Sequence, residues 1–322
     1  MSRVLITTVP FGQKNRAPLD LLEQAGLDYC INPFGRRLTQ TELTGLIGDV
    51  ECLVAGTEPI GEQVFAAAPR LRLVSRVGIG LDNVDLLEAR RRGIAVAYTP
   101  DGPSPAVAEL TIGLMVALLR GVHHANARAH GGGWERIMGR RLSEVTVGVI
   151  GVGRIGSRVI KLLEPFGGRI LAHDIRSITV PQAVTWVDFD TICRESDVLT
   201  LHVPLTAATR NLFDASVLAR LKSDAFLINT ARGGIVNEAA LAEALRADRF
   251  AGAAVDVFQV EPYHGELGGI DNCLLTSHMG SMSEDCRFRM EYDAVEAVVR
   301  WARGETVEQL VPEAEYALRE HA

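Results

Sequence analysis

Residues 145–156, Val-Thr-Val-Gly-Val-Ile-Gly-Val-Gly-Arg-Ile-Gly, constrain this chain more than any other stretch. An apolar run of strand length leads straight into glycines at 151, 153 and 156, and residues 157–166 continue with a helical pattern. Apolar residues without alternation are what a strand buried on both faces of a parallel sheet requires. The G-x-G-x-x-G spacing has a mechanical reading: Gly151 permits a tight turn, Gly153 lets a pyrophosphate approach the backbone, and Gly156 lets the helix pack close to the strand. The helix start offers unpaired N–H groups and a positive dipole end to phosphates. A glycine triplet alone is weak, because such turns join strands to helices in many folds. A second strand pattern, residues 168–174, ends on Asp174, 18 residues after Gly156. That is the position from which a carboxylate accepts hydrogen bonds from the adenosine ribose. The competing reading of Asp174 is an ordinary strand-end turn residue.

The motif begins near mid-chain, so composition matters chiefly for what surrounds it. The 322 residues suit one large or two medium domains, and 47% hydrophobic with 23% charged content is ordinary for a globular enzyme. A net charge of −7 gives no basic footprint and argues against nucleic acid as a partner. Apolar runs are interrupted well before membrane-span length, so no membrane partner is expected. Residues 1–8 run directly into a strand-like segment without a signal-peptide pattern. The five cysteines (Cys30, Cys52, Cys193, Cys273, Cys286) are odd in number and lack metal-ligand spacing. Reduced thiols, a cytoplasmic location and no metal are therefore expected. The pair His123-His124 reads as surface.

The first hundred residues alternate strand candidates (3–7, 28–31, 52–55, 71–76, 94–98) with helical patterns (18–25, 39–47, 61–68, 84–92). Such alternation predicts an open parallel sheet with helices on both faces. Residues 99–105 form a turn-rich junction before a long apolar helix, 106–120, with Glu109 near its positive end. Residues 121–144 are polar, glycine-rich and basic, with Arg136, Arg140 and Arg141. Seven further strand candidates follow: 145–150, 169–173, 184–187, 198–203, 225–229, 251–255 and 273–276. The fold class is α/β, with two doubly wound parallel-sheet domains. The last helix, 283–304, comes after the second sheet is complete and is expected to return to the first domain.

Three polar residues stand at the carboxyl ends of late strands, where open α/β sheets place ligands. Arg232 follows Phe226-Leu-Ile-Asn-Thr-Ala, Glu261 precedes Pro262, and His278 follows Cys273-Leu-Leu-Thr-Ser. Taken singly, Arg232 suits a salt bridge, Glu261 a loop acid before proline, and His278 a satisfied core histidine. Imidazole titrates near neutral pH and can supply a proton. A carboxylate orients the ring and favours its protonated form. Arginine grips a carboxylate with a bidentate fork and polarises the carbonyl.

At this point the chain resembles the D-isomer-specific 2-hydroxyacid dehydrogenase family, as a short phosphoglycerate dehydrogenase-like member without a regulatory domain. The resemblance rests on ordered motifs along almost the whole chain: Gly78-Ile-Gly-Leu-Asp-Asn-Val-Asp85, Gly93-Ile-Ala-Val-Ala-Tyr-Thr-Pro100, Val107-Ala-Glu-Leu-Thr111, Trp134-Glu-Arg136, Gly151–Gly156, His202-Val-Pro-Leu-Thr206 with Thr209, Asn229-Thr-Ala-Arg-Gly-Gly234, Ala254-Val-Asp-Val-Phe258, Glu261-Pro262 and His278-Met-Gly280. It implies a Rossmann NAD-binding domain (101–282) inserted into a flavodoxin-like substrate domain (1–100 plus 283–322). The active site would lie in a cleft between the two that closes against water. It implies Arg232, Glu261 and His278 as the catalytic set. Cofactor contacts would come from Gly151, Gly153, Arg154, Ile155, Gly156, Asp174, His202, Val203, Pro204, Thr209, Thr230, Ala231 and Gly280, with Asp256 either at the nicotinamide carboxamide or simply ending its strand. Substrate contacts would come from Arg76, Val77, Gly78 and Ile79 with Arg232 and His278, joined by Arg136 from the partner subunit of a homodimer. The Gly78 loop could equally be a plain turn, and the arginines at 136–141 a solvated loop.

Asp174 favours NAD, because its charge repels the 2′-phosphate of NADP; Arg176, two residues on, tempers that preference. The expected substrate is a small 2-oxo acid. Arg76 is suited to a phosphate, phosphonate or second carboxylate on it, and Arg140 or Arg141 could add charge. Enzymes of 3-phosphoglycerate often carry arginine and serine where this chain has Ala55-Gly56-Thr57, which weighs against that substrate. The competing readings are 3-phosphoglycerate dehydrogenase proper, a non-catalytic NAD(H)-sensing corepressor-like scaffold, and formate or phosphite oxidation. Glu261 argues against formate, because similar formate dehydrogenases pair their histidine with glutamine.

Overall fold

The computed structural model describes residues 3–320 and divides into two compact units, Met1–Pro103 with Met282–Ala322, and Ser104–Ser281. Residues 1–2 and 321–322, at the ends of the expected substrate domain, lie outside the described residues.

The first unit opens with β1 (Arg3–Ile6), α1 (Ala17–Gln24), β2 (Asp28–Ile31), α2 (Gln40–Leu46), β3 (Cys52–Ala55), α3 (Glu62–Ala66), β4 (Leu73–Arg76), α4 (Leu86–Arg91) and β5 (Ala95–Tyr98). Its helix starts are written locally: Thr39 and Glu42 form a capping box on α2, and Asp85 accepts the Glu88 N–H at the start of α4. The strands are parallel in the order β2-β1-β3-β4-β5, the flavodoxin-like order, whose direction reverses at β1. Leu5, Leu53, Val74 and Val96 pack on one face against Leu43, Val64, Phe65, Leu86 and Ala89.

The second unit carries α5 (Pro103–Leu119), α6 (Val122–His130), β6 (Thr146–Ile150), α7 (Arg154–Leu163), β7 (Arg169–His173), β8 (Thr185–Trp186), α8 (Phe189–Glu195), β9 (Val198–Leu201), α9 (Ala215–Leu218), β10 (Phe226–Asn229), α10 (Glu238–Arg246), β11 (Gly252–Val255) and β12 (Cys273–Leu275). All seven strands are parallel, in the order β12-β11-β10-β9-β6-β7-β8, with the reversal at β6. Both faces are covered. Leu199, Leu227 and Val255 meet Ile192, Val217 and Leu241 on one side. Val149, Ile228 and Ala254 meet Met115, Leu118, Val159 and Ile160 on the other. Adjacent Leu227 and Ile228 thus serve opposite faces, which is why these strands read as unbroken apolar runs.

The chain then returns to the first unit through α11 (Glu284–Ala302) and α12 (Glu313–Glu320). α11 packs on α1 and on β3–β5, and the Ser75 hydroxyl donates to the Ala294 carbonyl at 2.8 Å. Residues 309–311 hydrogen-bond to edge strand β5, through Tyr98 N–H to Gln309 and Val311 N–H to Val96. An exposed sheet edge is thereby covered.

Three expectations are corrected. The junction 99–105 is partly helical, since α5 begins at Pro103; proline is tolerated in a first helical turn. The polar stretch 121–144 contains α6. His123 is half-buried rather than a surface residue; burial, and then the neighbouring His124 ring at 3.9 Å, lower its pKa. Among the described residues no single helix is long and apolar enough to cross a membrane.

Candidate active site

Because the strands of the second sheet run parallel, their carboxyl ends share one edge. The glycine turn follows β6, Asp174 follows β7, His202–Pro204 follow β9, Thr230–Arg232 follow β10, Asp256 follows β11, and His278–Gly280 follow β12. The three glycines are required for three different reasons. Gly151 has φ +86°, and a Cβ there would lie 2.6 Å from the His202 carbonyl oxygen. A Cβ on Gly156 would lie 2.0 Å from the Gly151 oxygen, so the helix can sit this low only with glycine. A Cβ on Gly153 would meet nothing closer than Arg176 Nη2 at 3.9 Å, so the space above it is open. Gly153 supplies no side-chain cap to α7, and the Ile155 amide in its first turn makes no hydrogen bond among the described residues. These features fit a dinucleotide pyrophosphate.

Asp174 is anchored by its neighbours. Val152 N–H donates to Oδ2 at 2.8 Å, and Arg176 donates to Oδ1 through its backbone N–H at 2.9 Å and Nε at 3.2 Å. Burial alone would raise its pKa; the hydrogen bonds from Arg176 and Val152 outweigh it and hold the carboxyl below the ordinary aspartate value. His202 Nε2 lies 3.0 Å from the Thr200 hydroxyl, and its Nδ1 is enclosed with no partner among the described residues. Burial pushes this imidazole down to about 3, so it stays neutral at physiological pH. Thr209 ties its own loop, donating to the Pro204 carbonyl at 2.6 Å and accepting from Thr206 N–H at 2.8 Å. The Thr230 hydroxyl lies 3.0 Å from that of Thr111 on α5. Ala231 is buried beside it.

The expected catalytic trio stands on adjacent strands. Asn229 shapes the turn after β10 by accepting the Ala231 N–H at 3.1 Å and donating to the Arg232 carbonyl at 2.9 Å. A Cβ on Gly233 would lie 2.0 Å from the Phe258 carbonyl carbon, so this turn presses directly on the chain leaving β11. Glu261 accepts the Phe258 N–H at 3.0 Å and faces His278 Nδ1 with both oxygens, at 3.0 and 2.8 Å. A carboxylate can only accept there, so Nδ1 carries the hydrogen. His278 is exposed and its Nε2 makes no hydrogen bond among the described residues. The alternative of a satisfied core histidine is thereby excluded.

Asp256 is engaged within its own unit. It is 1% exposed, and both oxygens are engaged by the His278 loop: Thr276 Oγ1 at 2.6 Å and Met279 N–H at 2.9 Å on Oδ1, and Gly280 N–H at 3.0 Å on Oδ2. Its own carbonyl accepts the His278 N–H at 2.7 Å. Between these anchors His278 is held at φ +52°, a conformation uncommon for a residue with a Cβ. No sequence motif signalled this arrangement, because most of the partners of Asp256 are backbone amides.

The Gly78 loop of the first unit also needs correction. The Val77 N–H is spent on the Ala55 carbonyl at 2.9 Å and the Gly78 N–H on Thr99 Oγ1 at 2.7 Å. Ile79 N–H makes no hydrogen bond among the described residues and is the amide left for an anion. Arg76 is buried, with Nε on Asn83 Oδ1 at 3.2 Å and Nη1 against the Val77 carbonyl. It braces its own loop, which removes the basis for assigning it a second anionic group. Sequence reasoning passed over Glu58, buried after β3, which accepts from Gly56 N–H at 3.0 Å and from the Thr7 hydroxyl. Arg140 and Arg141 are paired with Asp224 and Glu144, each at 2.8 Å, which corrects the suggestion that they meet substrate. Arg136 is exposed and makes no hydrogen bond or ion pair among the described residues.

A family model described as the NAD binding domain of D-isomer specific 2-hydroxyacid dehydrogenases matches residues 112–280. Over 270 residues the chain is 36% identical to a hydroxypyruvate reductase of Thermotoga maritima, covering 82% of this chain and 88% of that one. It is 38% identical over 283 residues to a D-3-phosphoglycerate dehydrogenase of Methanocaldococcus jannaschii, covering 85% of this chain but 54% of the relative's length. The crystal structure of a D-lactate dehydrogenase from Aquifex aeolicus complexed with NAD and lactic acid matches with a TM-score of 0.84 at 26% identity, covering 96% of this chain and 98% of that one.

Proposed function

The chain belongs to the D-isomer-specific 2-hydroxyacid dehydrogenase family, NAD-dependent oxidoreductases acting on CH–OH groups, and we propose that its own substrate is a small 2-oxo acid with an uncharged far end, of the glyoxylate or hydroxypyruvate kind. The observation that carries the catalytic part is the His278 ring, gripped at Nδ1 by both oxygens of Glu261 with Nε2 left open. Bound NADH supplies the hydride. His278 Nε2 gives the proton to the carbonyl oxygen, Glu261 orients the ring, and Arg232 holds the substrate carboxylate and polarises the carbonyl. The chemistry of the reverse direction, oxidation of the hydroxy acid, uses the same groups with His278 accepting the proton.

An uncharged far end is supported by the braced Arg76 and by the acidic Glu58 beside Ala55-Gly56-Thr57, a setting that disfavours phosphate. The Thermotoga relative's name points the same way. NADH oxidation against glyoxylate, hydroxypyruvate, pyruvate and phosphohydroxypyruvate tests the reading. Preference for the phosphorylated acid would sink the substrate class, and no turnover of any 2-oxo acid would sink the activity. With a confirmed substrate, His278→Ala is expected to lower kcat by about 10²–10⁴-fold; retained activity would remove the proton-transfer role.

We assign the homodimer contact to α5, α6 and the segment after them, where Trp134 and Met138 are 93% and 96% exposed. Exposed Arg136 would then be offered to the neighbouring subunit's site. Sedimentation as a monomer at working concentration would remove this assignment. Five unpaired cysteines support a cytoplasmic location.

A further inference from the structure

The carboxyl group of Asp174 is already fully subscribed. Two of its acceptor positions take backbone N–H groups, from Val152 on Oδ2 at 2.8 Å and from Arg176 on Oδ1 at 2.9 Å. The other two take the Arg176 side chain, Nε on Oδ1 at 3.2 Å and Nη2 on Oδ2 at 3.5 Å. A carboxylate offers about four acceptor positions. The backbone pair fixes the acid, so the guanidinium occupies the positions that adenosine ribose hydroxyls would need. The two side chains are unequal in freedom: that of Asp174 is 5% exposed and that of Arg176 is 66% exposed. The arginine is the member of the pair that can leave. It also lies beside the glycine turn, since its Nη2 is the nearest atom to a Cβ built on Gly153.

We propose that Arg176 is displaced from Asp174 when an adenosine ribose docks, and that the displaced guanidinium binds a 2′-phosphate, so that this chain takes NADPH as a second cofactor beside NADH. An aspartate at this position ordinarily excludes NADP by charge repulsion. Here the repelling charge sits next to a mobile, permanently charged fork whose geometry matches phosphate oxygens. For the unphosphorylated ribose the same arginine is a competitor, because its ion pair must be broken before the hydroxyls reach Asp174. One residue therefore weakens the first cofactor and admits the second. The inference rests on the reading of Asp174 as the ribose acceptor.

Calorimetric titration of ADP-ribose and 2′-phospho-ADP-ribose into the full chain, without substrate, tests both readings separately. With the wild-type chain the two dissociation constants are expected to lie within about ten-fold of each other. Arg176→Ala should weaken the phosphorylated ligand by about ten-fold or more, while ADP-ribose binds as well or better. Arg176→Lys should fall between, keeping the charge without the fork. Added salt should weaken the phosphorylated ligand more than the other. Equal effects of Arg176→Ala on both ligands, or none, would overturn the inference and leave the ribose site standing. Failure of the wild-type chain to bind either ligand would overturn both.

Discussion

Replacing Asp256 with asparagine keeps the shape of the side chain and removes half of its acceptor capacity. The amide oxygen can still serve Thr276 and Met279, but the Gly280 N–H, now 3.0 Å from Oδ2, would face an NH₂ group. Turning the amide over saves that bond and loses the one from Met279, while the Thr276 hydroxyl can turn to accept from the NH₂ group. A buried hydrogen bond to an ionised group contributes about 1.5–3 kcal/mol. The relief of burying a charge offsets part of the loss, so a net destabilisation of about 2 kcal/mol is expected. For a unit the size of Ser104–Ser281 this corresponds to a fall in Tm of roughly 4–8 °C. The catalytic effect should be larger in proportion. His278 is held at φ +52°, a conformation that costs about 1–3 kcal/mol and persists only while its surroundings impose it. Once the loop relaxes, the imidazole leaves Glu261, and a displacement of about 1 Å can cost about 10²-fold in rate. Differential scanning calorimetry and steady-state kinetics with NADH and a 2-oxo acid give the answer. The expected pattern is a lower kcat and a lower Tm, with a smaller change in NADH affinity. If Tm and kcat hold while NADH affinity collapses, Asp256 is a cofactor contact and its role as an anchor of the histidine loop is refuted.

The glycines of the turn should separate cleanly. Gly156→Ala drives a Cβ into the Gly151 carbonyl and should cost about 1–3 kcal/mol of stability, whereas Gly153→Ala should leave Tm unchanged and weaken ADP-ribose binding, as calorimetry of both variants would show. His202 has a folded-state pKa of about 3, below its unfolded value near 6.5, so its contribution to stability is complete above pH 6.5 and is lost as pH falls from there towards 3. Urea midpoints between pH 7 and 4 should therefore decline by up to about 1.4 kcal/mol of stability per pH unit from this group, and His202→Gln should flatten the slope. Arg232→Lys keeps the charge at the end of β10 but not the fork, and should lower kcat/KM for the 2-oxo acid by about ten-fold or more while NADH affinity holds; an unchanged KM would remove Arg232 from substrate binding.

What could be read from the sequence was what sterics and burial write into residue types. β6, β9 and β10 announced themselves because neighbouring residues such as Leu227 and Ile228 are needed on opposite faces. The glycine turn was legible because Gly151 and Gly156 admit no Cβ. Arg232, Glu261 and His278 were found because each follows a recognisable strand. α6 was missed because Val122-His-His-Ala-Asn-Ala-Arg-Ala-His130 carries no apolar stripe to mark a helix. α12 was missed because Glu313-Ala-Glu-Tyr-Ala-Leu-Arg-Glu320 is short and mostly polar, and Tyr316, whose ring packs under the Arg90 guanidinium at 3.7 Å, sets no helical period in it. The anchoring role of Asp256 and the occupied amide of Gly78 were illegible for another reason. Their partners lie twenty or more residues away and are backbone amides or threonine hydroxyls, which leave no pattern in residue type.

The return of α11 to the first sheet sets a timetable for synthesis. β1–β5 emerge first, yet the face of β3–β5 that receives α11, and the Ser75 hydroxyl that awaits the Ala294 carbonyl, stay uncovered until the whole of Ser104–Ser281 has been made. At about 5–20 residues per second that interval is on the order of ten to forty seconds. The second unit, continuous in the chain, can finish folding before the first one does. The apolar face of β3–β5 is therefore the last part of the first sheet to be covered on the growing chain, and substitutions that weaken α11 should reduce the yield of folded protein more than its activity once folded.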